Sequence, residues 1–152
     1  MKVNEEKFIE FKVNDEELHF YENSDEIGKV KISWDYIDKK FIKNPIPSER
    51  EIENAINYIE DELMRNLELL NTKNLNLCTK DSNLIKLLGV KAKIVEYTKE
   101  KIEEEFTKYA LLSMGRSPVV DGIELNNKRY IALLVIREIL HHLKFDSIKI
   151  IG

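Results

Sequence analysis

KFIEFKVNDEELHFYENSDEIGKVKISW, residues 7–34, decides the fold. Lys7–Val13 mixes β-branched and aromatic residues, Asn14–Glu17 is turn chemistry, and Leu18–Glu22 reads as a second strand. Asn23–Gly28 reads as another turn. Lys29–Trp34 alternates like a third strand, with Val30 and Ile32 on one face. Three short strands in direct succession give an antiparallel meander.

Beyond Trp34 the apolar period changes from that of a strand to that of a helix. Asp35–Ile42 fits a short helix with Tyr36, Ile37, Phe41 and Ile42 inward. In NPIPSEREIENAINYIEDELMRN (Asn44–Asn66), Ile52, Ala55, Ile56, Ile59 and Leu63, continued by Leu67 and Leu70, make one helical stripe. Ser48 stands at the N-cap. Glu51, three residues on, can return a bond to the Ser48 amide and complete a capping box. Pro45 and Pro47 keep any upstream helix from running in, because each disfavours the α conformation at the residue before it. The acids of this helix read as its solvated side. Glu60, Asp61 and Glu62 are consecutive and point about 100° apart, so they do not converge on one ion.

Further on, Asn74–Cys78 reads as a short buried strand and Ser82–Gly89 as a short helix stopped by its glycine. Val90–Tyr97 fits strand or helix equally. Thr98 caps a helix over Lys99–Ser113, Met114–Asn127 reads as loop, Lys128–Leu143 is the last helix and Ser147–Ile151 the last strand. A meander followed by alternating helices and strands is an α/β domain with a mixed sheet flanked by helices. The 152 residues are read as one domain, 1–152.

Composition narrows the function. The net charge is −4 with no dominant basic stripe, which argues against nucleic acid as a partner. One cysteine, Cys78, excludes an internal disulfide and any cysteine-based metal cluster. MKVNEEKF lacks the apolar core of a signal peptide, and no apolar run reaches membrane-spanning length; these features imply a cytoplasmic chain without a membrane partner. There is no P-loop, dinucleotide fingerprint or Ser-His-Asp set, hence no cofactor.

Read in order, residues 8–63 (strand, turn, strand, the glycine-containing strand IGKVKIS, short helix, then a proline-flanked SERE opening a long helix) resemble the second domain of the exopolyphosphatase and guanosine pentaphosphate phosphatase family, Ppx/GppA. GRSPVVDGIE (Gly115–Glu124) is similar to that family's loop of Arg then Pro-Gly-Leu, and IREILHHLKFDSIKI (Ile136–Ile150) to its last helix and strand. The resemblance implies a ribonuclease-H-like fold of the actin-like ATPase superfamily. It also implies three glycine-rich phosphate loops, because glycine lets backbone amides approach an anion closely. The first, Asp-x-Gly-Gly-Gly-Ser, is expected where this chain reads MKVNEEKFIE; Glu5 and Glu6 there would repel phosphate. The second, Gly-Gly-Thr, is expected where the residues are Thr79, Lys80, Asp81 and Ser82. The third is expected after the last strand, beyond Gly152. No family catalytic residue carries over to a matching position. The implied role is a catalytically incomplete binding, regulatory or structural module; the rival is a phosphatase subunit completed by a separately encoded first domain.

Few side chains suggest a site. His141 and His142 are adjacent on a helix and cannot chelate as an i, i+4 pair would, so no metal site is read; both suit the negative helix end, where His142 could meet Asp146. His19 reads as a cross-strand partner. Arg116, Ser117, Lys128 and Arg129 flank the PVVDG loop and are candidates for holding a small anion. The last helix is apolar nearly all round. Tyr130, Ile131 and Leu134 spill onto its second face, which either a neighbouring helix such as Lys99–Ser113 covers or a partner does. The second reading makes these three residues the contact of a homodimer or a companion domain.

Overall fold

The computed structural model describes residues 8–66, 76–122 and 125–152. In chain order the elements are β1 (Phe8–Val13), β2 (Leu18–Glu22), β3 (Asp25–Val30), α1 (Trp34–Phe41), α2 (Glu49–Arg65), β4 (Asn76–Thr79), α3 (Ser82–Leu88), β5 (Ile94–Thr98), α4 (Lys99–Ser113), α5 (Pro118–Asp121), α6 (Asn127–His142) and β6 (Ser147–Ile151). The strands form one sheet in the order β3-β2-β1-β4-β6-β5. β1, β2 and β3 are the antiparallel meander. β4 and β6 add in parallel beyond β1, and β5 closes the edge antiparallel to β6.

The hairpin between β2 and β3 differs from the sequence reading. Asn23 and Ser24 both have positive φ, 50° and 70°, so the chain reverses in two residues and Glu22 pairs directly with Asp25. Such left-handed pairs match the twist of the flanking strands. The third strand therefore starts at Asp25, inside the expected turn, and ends at Val30. It takes up one extra residue where the register passes from Phe20–Gly28 to Tyr21–Glu26. Trp34 is then the first residue of α1. Ser33 caps that helix by accepting from the Tyr36 N–H, and its hydroxyl donates to the Asp15 carbonyl at 2.6 Å. Within α1, Trp34 and Ile37 are buried, while Tyr36, Phe41 and the following Ile42 pack partly buried against the core.

The Ser48–Glu51 capping box is present in both directions. Ile52, Ala55, Ile59 and Leu63 are buried, but Ile56 is only half-buried; Leu67 and Leu70 lie outside the described residues, as do Asn74 and Leu75 of the expected fourth strand. Asp81 caps α3 and Gly89 ends it with φ 67°. The ambiguous Val90–Tyr97 stretch supplies β5, starting at Ile94. Thr98 caps α4, which spans Lys99–Ser113 as the sequence implies. The expected loop after α4 contains the four-residue α5, opened by Pro118 and capped by Ser117.

Strand alternation sends Ile9, Phe11, Leu18, Phe20, Leu77, Ile148 and Ile150 to one side, where they join a single hydrophobic cluster with the buried residues of α1, α2, α3, α4 and α6. α6 lies at the centre of that layer, against α1, α2, α3 and α4. This settles its second face. Tyr130, Ile131 and Leu134 are 1%, 0% and 0% exposed. The Tyr109 ring stacks on Tyr130 at 5.2 Å, Phe106 stands tilted to it at 5.8 Å, and the Ser113 and Tyr130 hydroxyls share a 2.8 Å hydrogen bond. The chain's own helices bury this face, α4 lying over Tyr130, so these three side chains offer no exposed surface to a partner. Among the described residues no helix is long and apolar enough to cross a membrane.

Candidate functional site

β1 and β4 run side by side in parallel, yet their connections leave in opposite directions, β1 back to β2 and β4 on to α3. Open sheets form a crevice at the carboxyl ends of such a strand pair. Here a shallow hollow of about 410 Å³ is lined by Glu10 and Lys12 of β1 and by Lys80, Asp81 and Ser82 after β4. Thr79 and Asp81 spend their polar groups locally. The buried Thr79 hydroxyl donates to the Phe11 carbonyl at 2.9 Å and accepts from the Asp81 N–H at 3.1 Å. The Asp81 carboxylate accepts from the Leu84 N–H at 2.9 Å. The first turn of α3 thus has a carboxylate of its own against its free amides.

Beside this crevice, Cys78 is 6% exposed. Burial pushes its thiol up to about 11, with the negative Glu10 adding to the effect. A thiol so disfavoured from ionising is a structural residue rather than a nucleophile.

Three of the four anion candidates, Ser117, Lys128 and Arg129, have partners of their own. Ser117 spends its side-chain oxygen on capping α5, accepting from the Val119 N–H at 3.3 Å. Lys128 reaches Asp35 at 2.9 Å, and that carboxylate raises its pKa. The hollow around Lys128, about 630 Å³, is acidic, lined also by Asp15, Glu16 and Asp38. Arg129 donates to the Leu87 carbonyl at 3.4 Å and lies 3.8 Å from Glu105. Arg116 precedes the α5 cap on an exposed stretch. His19 does pair across strands: its ring bonds to Glu26 of β3 and stands 3.2 Å from the Asn14 side-chain amide.

At the far end of α6 the structure makes a contact that the sequence does not announce. His142 pairs with carboxylates of two helices rather than with Asp146, and the His141 ring stands edge-on to its ring at 5.2 Å. The His142 Nε2 is 3.0 Å from Glu138 Oε2 on the same helix and 3.4 Å from Glu60 Oε1 on α2. Glu138 is 2% exposed, and burial raises its pKa against the opposing pull of Arg137 and His142. The i, i+4 spacing of Glu138 and His142 is visible in the sequence. Glu60, on the expected solvated face of its helix, comes to them only through the packing of α2 on α6.

An antiparallel three-strand meander extended by two parallel strands, with helices crossing over between them, is a ribonuclease-H-like arrangement. Solved structures similar to this chain over nearly its whole length include Ppx/GppA phosphatases and exopolyphosphatases. The type II variant of the Aquifex aeolicus Ppx/GppA phosphatase matches with a TM-score of 0.66 at 16% identity, over 97% of this chain and 54% of that one. An exopolyphosphatase from Cytophaga hutchinsonii matches with a TM-score of 0.67 at 14% identity, over 98% and 54%. The Ppx/GppA resemblance of the sequence therefore holds in three dimensions as a likeness of fold, and the chain spans about half the length of these structures. No family model and no curated protein matches the sequence.

Proposed function

We propose that this chain is a catalytically incomplete counterpart of the second domain of a Ppx/GppA phosphatase, acting in the cytoplasm as a binding, regulatory or structural module. One observation carries the reading. At the strand end where the resemblance expects a Gly-Gly-Thr phosphate loop, the chain has Thr79-Lys80-Asp81-Ser82; Thr79 holds the Asp81 amide and Asp81 caps α3. Amides already bonded cannot also ring an anion, and a carboxylate at the same place repels one. The test is release of phosphate from polyphosphate and from guanosine pentaphosphate by the purified chain. No release above a buffer control is expected. Release that Lys80→Ala or Asp81→Ala abolishes would overturn the proposal.

Coverage of 54% of its structural neighbours favours a second reading, that a separate companion chain completes a phosphatase. The companion would carry the Asp-x-Gly-Gly-Gly-Ser loop. Its signature is phosphate release that appears only on mixing the two chains. Lys80 and Asp81 would then be the residues of this chain whose substitution alters the rate.

A further inference from the structure

We propose that Glu60, Glu138 and His142 form a binding site for a divalent transition-metal ion, of which zinc is the best fit, bridging α2 and α6. One ligand atom from each lies within 4.8 Å of the others. Two ligands at 2.0–2.1 Å from a tetrahedral ion stand roughly 3.3 Å apart. His142 Nε2 is 3.0 Å from Glu138 Oε2 and 3.4 Å from Glu60 Oε1, so an ion can enter with displacements of a few tenths of an ångström along these two edges. Imidazole nitrogen with two carboxylates is a donor set that zinc accepts, and three protein ligands leave one position for water or a further ligand.

Three features separate this group from surface acids that merely lie close. Glu138 is buried to 2% exposure on a helix otherwise apolar through the core, where a carboxylate is costly unless its charge is matched. Its other oxygen, Oε1, accepts from Arg137 at 2.9 Å, and Arg137 in turn binds Glu103; that outer contact fixes the carboxylate and turns Oε2 toward His142. The two helices each supply ligands, so the site exists only in the folded chain.

Access and charge also fit. Glu60 and Glu138 line a hollow of about 320 Å³, shared with Lys99, Glu103, Arg137 and His141, so an ion can approach from the side of the two carboxylates, while His142 stands outside that lining. With His142 neutral, the three donors carry two negative charges, which a divalent ion cancels. Arg137 is held by Glu103 and by the far side of Glu138 and does not occupy the space between the donors. Ion binding requires the Nε2 lone pair, so the imidazole proton stands on Nδ1 in the loaded state.

The alternative is an ion-pair chain, Glu60–His142–Glu138–Arg137–Glu103, that binds no metal. Titration of chelator-treated protein with zinc, followed calorimetrically, and with cobalt, followed by visible absorption, distinguishes the two. One equivalent of zinc and cobalt bands of four-coordinate intensity are expected. Glu60→Gln and His142→Gln should each weaken zinc at least ~10-fold, the scale of losing a contact that builds a metal site. His19→Gln, on β2 beside Glu26, should leave affinity unchanged. Glu60 and His142 are part-exposed, so both variants retain the core, and circular dichroism checks this. Absence of binding at millimolar zinc, or binding that both substitutions leave intact, would overturn the proposal.

Discussion

Glu51→Gln tests how α2 is anchored. Glu51 accepts from the Ser48 N–H at 2.9 Å, the Asn44 side-chain amide at 2.9 Å and the Lys43 N–H at 2.5 Å. Burial alone would raise its pKa. The backbone donors at Ser48 and Lys43, with Asn44, outweigh it and bring the carboxyl from 4.5 down to about 2. That interval corresponds to about 3.4 kcal/mol as an upper limit. Solvent around a residue at this surface screens much of it, which leaves ~1–2 kcal/mol. The folded pKa lies below the unfolded one, so the stabilisation is complete above pH 4.5 and is lost as pH falls from 4.5 towards 2. Glutamine keeps one neutral acceptor and the shape of the capping box but loses the charge and the second oxygen. Urea unfolding of the two proteins at pH 7 should show the variant less stable by ~1–2 kcal/mol, with the gap closing at about pH 2.5. Equal stabilities at pH 7, or a gap that does not change with pH, would refute the account of how this helix begins.

Ile59→Asp should abolish cooperative unfolding, since a 0%-exposed position leaves the charge unsolvated, while Ile56→Asp, half-buried at the edge of the hollow on α2, should cost clearly less in a denaturant midpoint. Cys78 should resist thiol reagents at pH 8 in the folded state, because a pKa of about 11 rather than 9.0 leaves ~100-fold less thiolate even before steric protection; fast labelling that returns only in guanidinium supports this, and native labelling at the unfolded rate opposes it. Glu138→Met should leave the metal-free protein within ~1 kcal/mol of the parent while removing stabilisation by zinc, because Arg137 keeps Glu103 and His142 keeps Glu60, so no orphaned charge remains buried. A loss of ~3 kcal/mol or more in chelator-treated protein would show that the carboxylate is needed for folding itself.

Local signals in this sequence translate closely into structure. Ser48 with Glu51, Thr98 and Gly89 mark real helix ends, because capping is decided by side chains within a few residues of the amides and carbonyls they satisfy. The start of β3 escapes the sequence because Asn23–Ser24 makes its two-residue reversal without the glycine that usually announces one, so Asp25 to Gly28 read as turn. β5 is ambiguous for a different reason. An edge strand with only half-buried alternate residues carries too little pattern to exclude a helix, and only its pairing with β6 defines it. The stripe on α2 puts Ile56 at its centre, but burial centres on Ile52, Ala55 and Ile59, a displacement that sequence period alone does not resolve.

The last helix shows why the candidate metal site is harder to read than the fold. Its apolar residues on every side signal burial, and the structure adds the reason: α6 is the central helix of its layer, touched by four others as well as packed into the core beneath the sheet. Tyr130, Ile131 and Leu134 need no second chain because the chain's own packing already buries them, with α4 over Tyr130. In that setting each charged residue on α6 must either reach solvent or find a partner. Arg137 and His142 reach the edge, whereas Glu138 does not. A break in the apolar pattern at one buried position is where sequence logic and stability part company, and such breaks concentrate at functional sites. Spacing shows the break and its i+4 histidine. It does not show Glu60, which comes from another helix and arrives beside them only when α2 docks on α6; the third ligand is a property of packing, and the site is complete only in the folded chain.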